Sequence, residues 1–220
     1  MQQSTILDQE LSEPLTKKPF FFKFQLFEFL LIGLLCLLIL VKPFLDFSKI
    51  EQVIVIYCYV IFPFLAVRIY LEYKNKLITG FGIVLKLMLL NASMTIMMGT
   101  LFKILDWEGT NLMLTVSLMI FAVTHPVYAL TLKSITNEVK GLLFFNTLAA
   151  GLFAIGMIFK MGSWANAQII IMAGFVLILI SLFSFGLFYQ KELSTKEQYH
   201  AVNFVARSVA ILLVGISFLF

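Results

Sequence analysis

The fold is decided by an apolar stretch that runs from Ala167 to Tyr189 and reads AQIIIMAGFVLILISLFSFGLFY. It contains no Asp, Glu, Lys or Arg. About 20 helical residues cross a hydrocarbon core of about 30 Å. Lipid offers no hydrogen-bond partners to the backbone, so a lipid-embedded segment must satisfy its own amides as a helix. The stretch therefore predicts a transmembrane α-helix.

Six other stretches along the 220 residues are also predominantly apolar. The chain is 61% hydrophobic and 13% charged, with a mean hydropathy of +1.00. A water-soluble domain is about half apolar and about a quarter charged. We therefore predict an all-α fold, a polytopic transmembrane helical bundle of about seven spans. The predicted spans are Phe24–Val41, Val53–Leu71, Ile83–Leu105, Thr110–Leu130, Gly141–Met161, Ala167–Tyr189 and Asn203–Phe220.

The spans group into hairpins because the connections between them are short. The polar first segment predicts a cytoplasmic tail and no cleavable signal peptide. The predicted organisation is a tail at 1–23, a first hairpin at 24–76, a second hairpin at 77–133, a third hairpin at 141–191 and a last helix at 203–220.

The orientation follows from the basic residues, which concentrate in the cytoplasmic segments of membrane proteins. Ten lie on the side of the N-terminus and four on the other side. Lys86 and Arg207 lie just inside their spans, near the richer side. The count predicts a protein of the cytoplasmic (inner) membrane, with the N-terminus inside and the C-terminus outside. The ten are Lys17, Lys18, Lys23, Arg68, Lys74, Lys76, Lys133, Lys140, Lys191 and Lys196; the four are Lys42, Lys49, Lys103 and Lys160.

One motif, G-x-x-F-K-x-x-x-W, occurs twice with a separation of 57 residues. It includes both tryptophans of the chain. Each copy lies at the predicted outer end of a span, where the chain turns back. Repetition of a motif at equivalent positions indicates that the second and third hairpins are duplicates. The motif residues are Gly99, Phe102, Lys103 and Trp107 in the first copy and Gly156, Phe159, Lys160 and Trp164 in the second.

Interfacial anchoring is one explanation for the motif. Trp prefers the lipid–water interface, and a Lys at a helix end extends its ammonium to the headgroups. A Gly one turn earlier lets a neighbouring helix approach closely. The other explanation is that the eight motif residues form an interface with a partner, and they are the candidate interface residues of this chain.

The first turn also carries a resemblance to a known family. Residues 102–109 read FKILDWEG. This turn resembles the signature of the gliding-motility and type IX secretion motor ring membrane protein family of Bacteroidota. The resemblance implies a hairpin with its turn outside, assembly into a ring, and a proton-driven stator that works with a partner protein. It extends over Leu77–Leu130 and more faintly over Gly141–Tyr189.

Two departures from the family count against a proton-motor role. The family's turn carries a His where this chain has Asp106 and Ser163. The family's second helix carries an acidic residue that is thought to handle the proton. No acidic residue occurs in Thr110–Leu130 or in Ala167–Tyr189.

Polar residues inside predicted spans are candidates for function because burying them in lipid is costly. The Asn residues are expected to make interhelical hydrogen bonds. His125 could be a proton relay or a metal ligand, but we expect a packing residue, because His200 is predicted to lie in an inner loop at another depth. Glu28 and Arg68 could pair across adjacent helices. The intramembrane polar residues are Glu28, Arg68, Asn91, His125 and Asn146.

No catalytic pattern, such as G-x-S-x-G, H-E-x-x-H or a phosphate-binding loop, occurs in the chain. We therefore expect a non-enzymatic integral membrane protein without a cofactor, acting as a subunit or scaffold of a larger envelope complex. Its expected partners are the bilayer and membrane proteins or further copies of itself, and no nucleic acid. The alternative is a small transporter or channel, and an enzyme ranks third.

Overall fold

The computed structural model describes residues 80–104, 108–132, 135–188 and 193–219, together with 70–74 and the single positions 27, 30, 34, 64 and 67. The described residues are all-helical outside short turns and ends. Five long helices have described bounds. They are α1 (Phe81–Ile104), α2 (Thr110–Thr131), α3 (Asn137–Met161), α4 (Ala167–Phe188) and α5 (Thr195–Leu219).

Four of the described helices are long and apolar enough to cross a membrane. The qualifying segments are Phe81–Thr100, Thr110–Thr131, Asn137–Met161 and Ala167–Leu187. They correspond to the third, fourth, fifth and sixth predicted spans. The first two predicted spans lie almost entirely outside the described residues, so the number seven stays a prediction.

The last helix differs from its prediction. The helix α5 begins at Thr195, eight residues before the predicted start at Asn203. His200 was expected in a loop, and this was wrong, because it is a buried residue of α5. The helix starts early because Ser194 and Glu197 cap its polar first turn.

The helix α3 lies at the centre of the described bundle. It packs against α2, α4 and α5, while α1 packs against α2. Glycines bring these helices close together. A Cβ atom on Gly174 of α4 would lie 2.6 Å from the backbone nitrogen of Phe153 in α3. A small residue lets two helix backbones approach closely, which favours helix association in lipid, where no hydrophobic effect drives the helices together.

Pro126 has a consequence for the packing of α2 against α3. Proline has no N–H, so the carbonyl of Ala122, four residues earlier, lacks its helical donor. This carbonyl faces Gly151, where a Cβ atom would lie 3.0 Å from the oxygen. The glycine leaves room for the carbonyl and brings its own Cα hydrogens close to it.

The outward faces of α2 and α4 carry continuous stripes of exposed apolar side chains at helical spacing, as expected for surfaces that face lipid. The stripe on α2 consists of Leu112, Val116, Met119, Val123, Val127 and Leu130. The stripe on α4 consists of Ile169, Met172, Val176, Leu179, Phe183 and Leu187.

Candidate functional site

The motif glycines mark equivalent contacts in the two hairpins. A Cβ atom on Gly99 would lie 2.7 Å from Cδ2 of Leu114, and one on Gly156 would lie 2.8 Å from both the backbone nitrogen and Cγ1 of Ile171. Each glycine therefore meets the residue fifteen positions later, on the helix that returns from the turn. The close approach explains why both positions lack a side chain.

The two turns also share their backbone conformation. The residues before the return helices, Gly109 and Asn166, have φ values of 79° and 64°. Glycine adopts this left-handed region without strain, and Asn does so more readily than most residues. The Gly109 carbonyl accepts hydrogen bonds from the amides of Leu112 and Met113, at 3.1 and 3.2 Å. The Asn166 carbonyl accepts the corresponding bonds at 3.0 and 3.2 Å. The two turns thus keep the 57-residue offset of the motif.

The aromatic residues of the second copy contact each other at the turn. The rings of Phe159 and Trp164 are 4.7 Å apart in an edge-to-face arrangement. Trp164 is 57% exposed, as an interfacial anchor requires. In the first copy Phe102 is half-buried, and Trp107 lies outside the described residues.

The two motif lysines line one cavity of about 180 Å³. Lys103 is half-buried at the end of α1, and its Nζ lies 3.5 Å from Oδ1 of Asn111. Lys160 is exposed at the end of α3. Gly215, near the end of α5, also lines the cavity. We call the end of the bundle that holds these three residues the motif end. The C-terminal ends of α1, α3 and α5 therefore meet at this cavity.

Asn146 connects three helices inside the bundle. Its Nδ2 donates to Oγ of Ser181 in α4, and its Oδ1 accepts from Oγ of Ser208 in α5, both at 2.6 Å. All three residues are fully buried. The expected interhelical bonding therefore occurs at Asn146. Asn91 behaves differently, because it is exposed on α1 and accepts a hydrogen bond from Thr95 of the same helix.

A buried ion pair lies at the other end of α1. Nζ of Lys86 is 2.9 Å from Oε2 of Glu72, and Tyr199 of α5 donates to Oε1 of the same carboxylate at 2.6 Å. Glu72 and Lys86 are only 1% and 3% exposed. The ammonium also lies 5.3 Å from the ring centroid of Tyr128. The pair and its hydrogen bond tie three segments of the chain together.

His125 packs against aromatic side chains in the interior of the bundle. It is fully buried, and its ring stacks on Phe204 of α5 with a centroid distance of 5.1 Å and an interplanar angle of 4°. Neither ring nitrogen of His125 has a hydrogen-bond partner among the described residues. Glu28 and Arg68 lie outside the described residues.

One carboxylate caps two helices at the end opposite the motif end. Oε2 of Glu197 accepts from the amide and hydroxyl of Ser194, which is a capping box for α5. Oε1 accepts from the amide of Thr136, the residue that precedes α3. Burial raises the pKa of Glu197, but these hydrogen bonds outweigh it and hold the pKa at about 2.

Sequence reasoning missed several of these residues, although two signals were present. Ser194-x-x-Glu197 has the spacing of a capping box before an apolar run. A lysine inside a span, such as Lys86, is expected to pair with an opposite charge. Nothing in the sequence selected Glu72 or Tyr199 as its partners, because these contacts depend on the packing of distant segments.

In comparisons with known proteins, residues 89–140 match the family model of the GldL N-terminal domain. The matched segment runs from α1 through α2 to the first residues of α3, and it includes the first motif copy. No curated protein and no solved structure matches the chain. The resemblance to the gliding-motility and type IX secretion motor family is therefore confirmed for this segment, about a quarter of the chain.

Proposed function

We propose that this protein is a non-enzymatic, multi-pass subunit of an envelope complex of the gliding or secretion motor type. The observation that carries the proposal is the GldL N-terminal match over 89–140, since it covers the hairpin with the first motif turn. The long apolar helices suit a protein held in the inner membrane. The role in a complex comes from the family, whose members are motor components.

We further infer that α1–α2 and α3–α4 are duplicated hairpins. The same glycine contact, the same left-handed residue before the return helix and the same amide bonds to its carbonyl support this inference. The shared cavity also places Lys103 and Lys160 at one end of the bundle. With duplicated hairpins, one chain would carry two motif turns, whereas a chain of the motor family carries one.

Within such a complex, Lys103 and Lys160 set the depth of their helices and help a partner dock. A lysine at a helix end reaches the headgroups at low cost, so its charge is retained. The return helices, 110–130 and 167–189, lack the acidic residue of the motor family. We therefore propose that neither lysine carries protons. The seven-span topology, with the N-terminus inside and the C-terminus outside, remains part of this proposal.

The test compares complexes extracted from native membranes in a mild detergent and sized on native gels. Lys103→Arg keeps both charge and reach, so a complex larger than the single 25.0 kDa chain should persist. Lys103→Leu should reduce it, because the helix end moves inward. Lys140→Leu, at the other end of α3, is the matched control and should have no effect. A wild-type chain that runs as a monomer would contradict the subunit role.

A small transporter or channel is the second candidate, favoured by the buried Glu72–Lys86 pair with its Tyr199 hydrogen bond. Buried ionisable groups in membrane proteins frequently lie on ion paths. Removing one charge of a buried pair costs about 3–5 kcal/mol of stability, so the test removes both, as Glu72→Gln with Lys86→Met. If the wild type conducts protons in vesicles and the folded double variant does not, the transporter replaces the subunit.

A further inference from the structure

The cavity at the motif end is lined by apolar side chains and by two lysines. Phe153, Met157 and Ile171 form walls that are at most 3% exposed. Lys103 and Lys160 line the same cavity. The lining therefore combines apolar side chains with two lysines.

Two lysines that line one small cavity are suited to an anionic ligand, because a lysine ammonium makes charge-assisted hydrogen bonds to anionic oxygens. An anion that contacted both lysines would gain two charge-assisted hydrogen bonds. Lys103 belongs to the hairpin α1–α2 and Lys160 to α3–α4, so an anion bound by both would also connect the two hairpins.

The size and surroundings of the cavity indicate which anion fits. At about 180 Å³ it is smaller than pockets that enclose a complete small molecule, roughly 300–1,000 Å³. It could hold only part of a larger ligand, and the remainder must lie outside. The exposed apolar side chains of Ile169 and Met172 flank the wall residue Ile171 on α4. An acyl chain could lie along this face, whereas a free anion would not use it.

We propose that this cavity binds the phosphate of an anionic phospholipid, with Lys103 and Lys160 contacting the phosphate oxygens and the acyl chains lying along α4. A lysine ammonium makes the same charge-assisted contact with the phosphate of a lipid headgroup as with a free anion. The site goes beyond the subunit role and does not depend on it. A chain that binds the lipid but does not assemble would retain the site and lose the subunit role.

The test titrates the delipidated full chain in detergent with phosphatidylglycerol and follows the bound lipid by native mass spectrometry. The electrostatic attraction between one lysine and an anionic lipid corresponds to a change of about 5-fold in the dissociation constant, Kd. Lys103→Gln and Lys160→Gln should each weaken binding by about that factor, and the double variant about 25-fold. Lys140→Gln, away from the cavity, should bind as the wild type does.

Two further measurements separate a built cavity from general surface charge. Met161→Trp fills the cavity and keeps both lysines, so it should lose the lipid, while Lys160→Arg should retain it. Phosphatidylcholine and inorganic phosphate, each added alone, should stabilise the chain much less than phosphatidylglycerol in thermal melts. Unchanged affinity in the double Gln variant or in Met161→Trp would overturn the site. Equal stabilisation by inorganic phosphate would replace the lipid with a free anion and overturn the lipid assignment.

Discussion

Replacing Asn146 with Leu should destabilise the bundle, and the structure sets the scale of the effect. The change removes two interhelical hydrogen bonds of 2.6 Å at a fully buried position. Hydrogen bonds between membrane helices contribute about 0.6 kcal/mol on average and up to about 1.7. Ser181 keeps its bond to the carbonyl of Ile178, but the Ser208 hydroxyl loses its acceptor. The expected loss is therefore about 1–3 kcal/mol.

The same substitution at Asn91 is the matched control. Asn91 is exposed, and its Oδ1 accepts a hydrogen bond from Thr95 of the same helix. Asn91→Leu should therefore change the free energy of unfolding by less than about 0.5 kcal/mol. Thermal melts of both variants in one detergent measure the difference, and the Asn146 variant should melt about 3–9 °C lower. Equal melting temperatures for the two variants would refute the reasoning.

Two further predictions concern the helix contacts. Gly156→Ala should lower the free energy of unfolding by about 1–3 kcal/mol, because the new methyl would lie 2.8 Å from the backbone of Ile171; Gly141→Ala, with open space around it, should not lower it. Glu197→Gln should destabilise the chain by about 1–3 kcal/mol at pH 7. The wild-type pKa of about 2 lies below the usual 4.5, so the stabilisation is complete above pH 4.5 and is lost as the pH falls toward 2. The gap between wild type and the Gln variant should therefore close in acid, and a constant gap from pH 7 to pH 2 would contradict this assignment.

The long helices could be predicted because their signal is local. The predicted starts at Thr110 and Ala167 and the predicted end at Met161 coincide with the structure. Each follows from an apolar run that ends at a polar turn. The start of α5 was missed because an apolar pattern says little about a polar first turn, which is stabilised by capping and by burial against other helices.

The candidate site was predictable only in part. The motif placed Lys103 and Lys160 at helix ends, and the structure agrees. The two lysines line one cavity because α3 and α5 pack beside the end of α1. No local sequence pattern predicts this packing. The contacts of Glu72 with Lys86 and Tyr199 depend on packing in the same way.

The proposed topology and the equivalence of the hairpins require both motif turns to face away from the cytoplasm, and cysteine labelling in intact cells measures this. After Cys36 and Cys58 are replaced by Ala, single cysteines are placed at Glu108 and Ala165 in the turns and at Glu138 at the other end of α3, all of which are exposed positions. A membrane-impermeant maleimide should label the first two and not the third. Labelling of only one turn would contradict equivalent hairpins, and labelling of Glu138→Cys alone would reverse the proposed orientation.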